Sequence, residues 1–478
     1  MTNLRPVCLV LALTAFGAGC VDVDSQVAAN PQEYWQPVER AQPPQLPPLP
    51  NAPANVANSP LSLPALVDIA LTNNPLTRAA WYNAKAAAAR LGETNSQYYP
   101  QVTLSASLDR DKIRTVGLNG NPNSGTTYYT TVGPAIQLNY ILWNFGKNYA
   151  LTESARQALY AADYDYNQQL EDVILATELG YYNFDAAQGF VAAAQATLDD
   201  ANTTYKAANQ RLDAGLGTRP DERQAYAQVK NAEYQLYLAQ AQVETTRAQL
   251  AQTLGIAVTS NLTIERSEKM ADTTKLDENI ENLMAAAMRQ RPDLMAAYAN
   301  LLQAQYNVSA AKDDDKPVVS AVANAAYGYE YAGVTRGNPA NNYMVGIQVS
   351  WEIFTGFEKT YAILAAEDQA EAASAALRSQ QLKVVTDIWN YFYSYKSALQ
   401  QVVSTSAQVD AQTEAKNAIQ QGYNAGLNSY VDLETALSNL ATARQQSVQA
   451  DANLGASIAN LAHATGRIPL PTAAPKSP

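Results

Sequence analysis

One pattern runs through this chain twice. Leu66-Val-Asp-Ile-Ala-Leu-Thr-Asn-Asn-Pro75 lies over Leu283-Met-Ala-Ala-Ala-Met-Arg-Gln-Arg-Pro292, Pro100 over Pro317 and Val102 over Val319. Farther on, Ala214-Gly215-Leu216 lies over Ala425-Gly426-Leu427, Asp221 over Asp432, and Leu254-Gly255 over Thr465-Gly466. Two units of roughly 200 residues are too few and too long for a solenoid, whose repeats run to about 20–50 residues. They imply a duplicated, pseudo-two-fold architecture. The 478 residues divide into a leader over 1–19, a tether over 20–60, a first repeat over 61–256, a linker over 257–275, a second repeat over 276–467 and a Pro-rich tail over 468–478.

Each unit has the same internal order: helix, strand, strand, very long helix, turn, return helix. The first helix covers about 61–97 and its counterpart about 276–312. Pro75 and Pro292 break each in two, because proline disfavours helical backbone at the residue before it. The strands alternate with period two. Val102, Leu104, Ala106 and Leu108 interleave with Thr103, Ser105, Ser107 and Asp109, and Tyr128, Thr130, Val132, Ile136, Leu138 and Tyr140 share a face. The residues from Val319 to Tyr331 and from Tyr343 to Ile353 repeat the alternation, with Trp351 and Ile353 on the apolar face. One apolar face, one wet face and aromatic strand ends predict a transmembrane barrel. The segments 110–126 and 332–342 are rich in Gly, Asn, Pro and Thr and read as exposed loops. From Gly146 to Leu212 there is no proline, and a helix of that length spans about 100 Å. Leu170, Thr177, Phe184, Val191, Leu198, Tyr205 and Leu212 recur every seventh residue, with Ala187, Ala194, Ala201 and Ala208 between them. Val229, Leu236, Val243 and Leu250 carry the pattern into the return helix; Tyr395, Val402, Val409, Leu440, Leu454 and Leu461 repeat it in the second unit. These are coiled-coil seams.

Four strands cannot close a membrane barrel, since the smallest common one has about eight. An open edge in hydrocarbon leaves N–H and C=O groups unpaired, each at a cost of several kcal/mol. Copies of the chain must therefore pool their strands. Two copies would give eight strands and a filled interior; three would give twelve and room for a passage. Helices of about 100 Å far exceed a hydrocarbon core of about 30 Å and must project into water.

Composition removes other classes. A net charge of −12 with only 32 Lys and Arg argues against a nucleic-acid partner, which needs a basic stripe against phosphate. One histidine, His463, and two cysteines, Cys8 and Cys20, argue against a His-rich metal site, a Ser-His-Asp triad and a multi-Cys zinc site. No phosphate loop or nucleophile motif is present, so no enzyme activity and no cofactor are expected. Tyrosines number 29 against 7 phenylalanines, which suits surfaces apolar on one side and wet on the other. Arg5, the apolar run Val7 to Phe16 and Gly17-Ala18-Gly19 before Cys20 read as a secretory leader ending in a lipobox. Cys20 would become an acylated, palmitate-bearing N-terminus, each buried CH₂ contributing about 0.8 kcal/mol of anchorage in outer-membrane lipid. The prolines between Pro31 and Pro60 make an extended tether behind it.

The turns Arg211-Leu-Asp-Ala-Gly-Leu-Gly-Thr-Arg-Pro-Asp221 and Gly422-Tyr-Asn-Ala-Gly-Leu-Asn-Ser-Tyr-Val-Asp432 add a further signature, as do the strand ends Leu142-Trp-Asn-Phe-Gly146 and Ile353-Phe-Thr-Gly356. With the duplicated unit they resemble the outer-membrane efflux protein family, the TolC-like channel-tunnels, over essentially the whole mature chain. The lipidated branch that serves resistance-nodulation-division pumps fits best. The resemblance implies an α+β membrane protein: a homotrimer with a twelve-stranded transmembrane β-barrel continuous with a periplasmic α-helical coiled-coil tunnel. It implies a passive conduit for drugs or other small molecules, served by a periplasmic membrane-fusion adaptor and an inner-membrane pump. A duct for a type I protein secretion system is the alternative, and a trimeric coiled-coil envelope tether a more distant one.

The functional residues follow from the turns. Gly215 and Gly426 can take positive φ and end the long helices, while Thr218 and Ser429 can cap the return helices. With Leu216, Arg219, Asp221 and Leu427 they form the tips at which the adaptor would dock. The resemblance places a gate just past the second turn, at Val431 and Asp432 with Glu434 close by. Three copies of Asp432 around an axis would attract cations. Relatives often carry a further acid three positions later, where this chain has Thr435. The plainer role for Asp432 is a first-turn acid favoured by the helix dipole. Arg219, Asp221 and Glu222 are candidates for pairing across the interface, and His463 for a structural role.

Overall fold

The computed structural model describes residues 60–115, 125–260, 262–266, 279–332 and 338–466. The leader, Cys20 and the tether to residue 59, residues 116–124 and 333–337 of the strand loops, part of the linker and the tail from residue 467 lie outside the described residues.

Each repeat begins with a broken helix. α1 (Leu63–Asn73) and α2 (Pro75–Asn95) are separated by Asn74; α5 (Ile280–Gln290) and α6 (Pro292–Asp313) are separated by Arg291. Both linking residues are extended, with φ/ψ of −64°/125° and −66°/123°, the backbone that a following proline imposes. Each is also tied to the far end of its own repeat. Asn74 Nδ2 donates to the carbonyl of Thr253 at 2.8 Å and Arg291 Nη1 to that of Ala464 at 3.4 Å. Arg291 is only 4 % exposed, so its charge needs partners; Asp293 at 2.6 Å and Asp387 at 3.4 Å supply them. Leu61 joins this belt as a short strand bridge, donating to Thr263 O at 3.0 Å and accepting from Glu265 N–H at 2.9 Å.

β1 (Gln101–Thr115), β2 (Gly125–Trp143), β3 (Val318–Ala332) and β4 (Asn338–Ser350) form one antiparallel sheet in that order. The second hairpin pairs onto the first through β2 and β3. The register aligns Val102, Leu138, Ala323 and Val345 in one row and Leu104, Ile136, Ala325 and Tyr343 in the next on the same face. Thr103, Gln137 and Asn324 align on the other face. The apolar face has no cover among the described residues: Leu104 is 77 % and Val345 87 % exposed. The strands differ from the alternation that predicts them. β1 continues through Asp109 to Thr115 and β2 begins at Gly125, inside the segment that composition reads as loop. A backbone ladder needs no apolar side chain, so polar residues extend it. β4 stops at Ser350, which leaves Trp351 and Ile353 beyond the strand; Trp351 Nε1 donates to Asp315 O at 3.0 Å.

Two left-handed residues in succession turn each strand into a long helix. They are Phe145 (φ 54°) and Gly146 (φ 108°) in the first repeat, Gly356 (φ 66°) and Phe357 (φ 67°) in the second. The phenylalanine in each pair carries strain on the order of 1–3 kcal/mol. Exposed Trp143, Phe145, Trp351, Phe354 and Phe357 collect at these junctions, as aromatic residues do at membrane–water interfaces.

α3 (Lys147–Asp213) and α7 (Glu358–Asn424) have 67 residues each and span about 100 Å. α4 (Arg219–Thr253) and α8 (Tyr430–Thr465) return beside them. The heptad residues Thr177, Phe184, Val229, Leu236, Leu250, Tyr395, Val402, Leu440, Leu454 and Leu461 are buried, as are Ala187, Ala194, Ala201 and Ala208. α3 packs on α4 and also on α6 and α8 of the other repeat, whereas α7 packs chiefly on α5, α6 and α8 of its own. His463, in the last turn of α8, places Nε2 2.9 Å from Asp172 Oδ1 of α3, which also accepts from Gln168 at 2.7 Å. Burial pushes the neighbouring Glu171 carboxyl up to about 6.

Phe184→Ala should cost about 3–5 kcal/mol by leaving a cavity in the α3–α4 seam, read as a lower thermal midpoint by circular dichroism. Glu171 titrates above its ordinary 4.5, so its protonated form favours the fold. That contribution is full below about 4.5 and is lost as the pH rises through about 6. The thermal midpoint should therefore fall less between about pH 5 and 7 in Glu171→Gln than in the wild type.

Candidate functional site at the hairpin tips

Both tips end in the same hydrogen-bonded turn. At the first, Leu216 N–H donates to Arg211 O at 2.8 Å and Gly215 N–H to Leu212 O at 2.9 Å; at the second, Leu427 N–H donates to Gly422 O at 2.7 Å and Gly426 N–H to Tyr423 O at 3.0 Å. These are Schellman turns, and they require the positive φ of Gly215 (72°) and Gly426 (80°). Leu216 and Leu427 project from the ends, Leu427 being 84 % exposed.

The return helices start on capping side chains. Thr218 Oγ1 accepts from Asp221 N–H at 3.3 Å. Ser429 and Asp432 form a reciprocal box: Asp432 N–H donates to Ser429 Oγ at 3.2 Å, and Ser429 N–H and Oγ–H donate to Asp432 Oδ2 at 2.9 and 2.7 Å. The Ser429 hydroxyl, aided by its N–H, holds the Asp432 carboxyl below the usual carboxylate range. Asp432 and Val431 are exposed on the first turn of α8. Thr435 donates its hydroxyl to Val431 O at 2.8 Å. Glu434 turns the other way, toward α4, where its carboxylate accepts from Gln224 Nε2 at 2.7 Å and from Gln228 Nε2. Arg219 is exposed, Asp221 is half-buried, and Glu222 is buried and paired with the adjacent Arg223 at 3.3 Å. The second turn thus presents an apolar side chain and an acid outward, while Glu434 joins α8 to α4.

Arg211, inside the first turn motif, does something local pattern does not reveal. It reaches to the second tip, donates to Tyr423 O and, at 3.4 Å, to Asn424 O, and lies 4.9 Å over the Tyr423 ring. A cation there meets the negative end of the α7 dipole. Tyr423 packs edge-on against Tyr430 with centroids 6.2 Å apart, and both are buried with Leu433, Ala208 and Ala225 in a small core that joins the tips. Burial raises the Tyr423 and Tyr430 hydroxyls above their usual range. An arginine in the last turn of a helix signals a C-terminal contact, but its partner lies in the other repeat. Farther up, α4 and α8 leave a groove of about 460 Å³ over α3, walled by Gln228, Asn231, Gln235, Ser438 and Gln445 and floored by alanines.

This architecture has clear relatives. The chain matches the sequence profile described as outer membrane efflux protein over residues 66–256 and again over 283–467. It belongs to that family. Outer membrane efflux protein BepC of Brucella suis biovar 1 is 25 % identical over 409 residues, 84 % of this chain and 85 % of that protein. Toluene efflux pump outer membrane protein TtgC of Pseudomonas putida is 22 % identical over 391 residues, 80 % of this chain and 78 % of that protein. The CmeC outer membrane channel of Campylobacter jejuni superposes with a TM-score of 0.73 over 85 % of each chain at 20 % identity, a likeness of fold. The double match of the outer membrane efflux protein profile falls on the two units that carry the two tips.

Substituting Gly426→Val puts a β-branched residue at φ 80°, and Arg211→Ala removes the contact between tips. Both should speed proteolytic cleavage between residues 422 and 430, with cleavage elsewhere unchanged. Arg211→Lys should recover only part of the loss, because lysine cannot reproduce the planar fork over the ring.

Proposed function

We propose that this chain is the outer-membrane exit duct of a tripartite efflux system, a passive conduit for small molecules. The observation that carries this reading is the open sheet. No helix among the described residues is long and apolar enough to cross a membrane, whereas the strands have 13 to 19 residues and one uncovered apolar face. A spanning strand needs only about 9–11 residues. Among the described residues, neither sheet edge, β1 or β4, has a further partner strand.

The contacts between repeats supply a template for closing the ring. Within the chain β2 pairs with β3, and α3 packs on α6 and α8. The equivalent contacts with the roles of the repeats exchanged are β4 with β1, and α7 with α2 and α4. One chain cannot make these, but a neighbouring copy can. Exposed Trp389 and Tyr393 on α7, and Tyr234 and Tyr237 on α4, would then be covered. Three copies give six repeats and twelve strands, enough for a passage; we take the assembly to be a homotrimer. The aromatic collar at the strand–helix junctions would lie at the periplasmic face of the outer membrane, with the tunnel in the periplasm. Cys20, acylated, would add a lipid anchor in the same membrane.

The tips then lie at the tunnel's far end. Leu216, Leu427 and Val431, exposed apolar side chains on rigid turns, are where a periplasmic membrane-fusion adaptor would dock, linking the duct to the inner-membrane pump that supplies energy. Val431 and Asp432, exposed on the first turn of α8, would form the constriction, with Glu434 bracing it from behind. The name of the toluene pump component from Pseudomonas putida favours small apolar cargo.

Single-channel conductance in planar bilayers tests the reading. Wild-type openings should be cation-selective, and Asp432→Ala should lower that selectivity and enlarge the openings. Insertion without any openings from either protein would contradict the duct.

A further inference from the structure

The far end of β1 sorts four charges by sign. Asp109, Arg110, Asp111 and Lys112 follow one another in the strand, and successive side chains of a strand point to opposite faces. Arg110 and Lys112 fall on the face of Val102, Leu104, Ala106 and Leu108, the uncovered apolar face, while Asp109 and Asp111 fall on the face of Thr103 and Ser105. All four are exposed. The cations thus stand on the side of the sheet that would meet lipid, and the carboxylates next to them in sequence are turned to the other side.

That face offers them no counter-charge. Among the described residues neither Arg110 nor Lys112 pairs with a carboxylate; both lie over the Tyr128 ring, 5.5 and 5.7 Å from its centroid. The same face continues across β2 and β3 through Thr130, Val132 and Tyr329, and Tyr327 meets Tyr329 edge-on with centroids 6.1 Å apart. β4 has no charged residue from Asn338 to Ser350, and the sequence of residues 116–124 and 333–337 contains no acid. In a chain of net charge −12 this rim is cationic and aromatic on its lipid side alone.

Position along the strand fixes the depth. From Gln101, beside the helices, to Arg110 the strand climbs about 30 Å, or about 23 Å along the membrane normal at a tilt of about 40°. The apolar band of a membrane barrel is about 25 Å tall. Arg110 and Lys112 therefore come out at its outer boundary, where a cation on the lipid face costs little. The outer leaflet of a bacterial outer membrane presents phosphorylated sugar headgroups at that level. A guanidinium offers phosphate a planar fork and an ammonium a point charge, while exposed tyrosines offer a sugar both a flat face and a hydroxyl.

We infer that the outer rim of β1, β2 and β3 binds a phosphorylated glycolipid of the outer leaflet, with Arg110 and Lys112 on its phosphate and Tyr128, Tyr327 and Tyr329 against its sugar. The inference rests on the outer-membrane reading above and places a lipid site on the outside of the barrel, apart from both the passage and the tips.

The full chain, assembled in detergent, is titrated with a twice-phosphorylated, acylated glucosamine disaccharide, and bound lipid is counted by native mass spectrometry. Arg110→Gln and Lys112→Gln should each weaken binding about fivefold, and the double variant about thirtyfold. The same glycolipid without its phosphates should bind wild type and double variant equally and weakly. Millimolar inorganic phosphate should leave the glycolipid in place, because its acyl chains rest on the apolar band; displacement would assign the site to free phosphate and overturn the inference. Phosphatidylglycerol bound as tightly as the glycolipid, or a double variant that binds the glycolipid undiminished, would also overturn it. In phosphatidylcholine bilayers free of glycolipid, wild type and double variant should open channels of the same conductance. Channels from both, with equal glycolipid binding, would sink this inference and leave the duct standing; no channels from either would sink the duct and this inference with it.

Discussion

The backbone at the two edges of the sheet sets the terms for the rest of the molecule. Hydrocarbon offers no hydrogen-bond partner, so every strand that enters it must be flanked by another. β2 and β3 satisfy one another inside the chain, while β1 and β4 form the two edges of its sheet; in the ring proposed above, neighbouring copies would pair with them. Duplication makes this economical, because in the proposed ring the interface that joins the repeats would also be the one that joins the copies. The long helices inherit the same logic. α3 is enclosed by both repeats, and α7, its equal in length, keeps a face open.

Below the sheet the problem becomes one of holding helices of about 100 Å in register. Large heptad residues alternate with alanine so that axes approach closely, and Gly455 lets α8 press against the Tyr182 ring, where a Cβ would come within 2.5 Å. Midway, the two breaks before proline bind the short helices to the ends of the return helices. The repeats meet that one demand with different chemistry: a neutral amide from Asn74 in the first, and a buried guanidinium with two carboxylates from Arg291 in the second. At the tips Schellman turns and caps stop the helices within a few residues.

Much of this was legible from the residues. Period-two alternation located the four strands and heptads located the seams, because both patterns record burial on a repeating geometry. The glycines and the Ser and Thr caps located the turns, because few other residues meet those backbone demands. The polar ends of the strands are not legible, since a ladder in water leaves no apolar alternation; residues 110 to 115 read as loop for that reason. The reach of Arg211 to Tyr423 and the orientation of Glu434 toward Gln224 were also missed. Both contacts join residues more than 200 positions apart, and no local spacing encodes them. Asp432 and Glu434 look like neighbours in the chain, yet two residues along a helix turn them to different faces.

The scarcity of histidine would give the proposed assembly a built-in reporter. His463 is the sole imidazole in 478 residues, and it sits against Asp172 at the joint between the repeats. Each copy contributes one such ring, so its magnetic resonance needs no label or assignment by mutation. Three equivalent copies would give a single signal, and a ring that distorts as it engages a partner would split it. Symmetry breaking far from the tips could thus be watched through a residue the chain already carries.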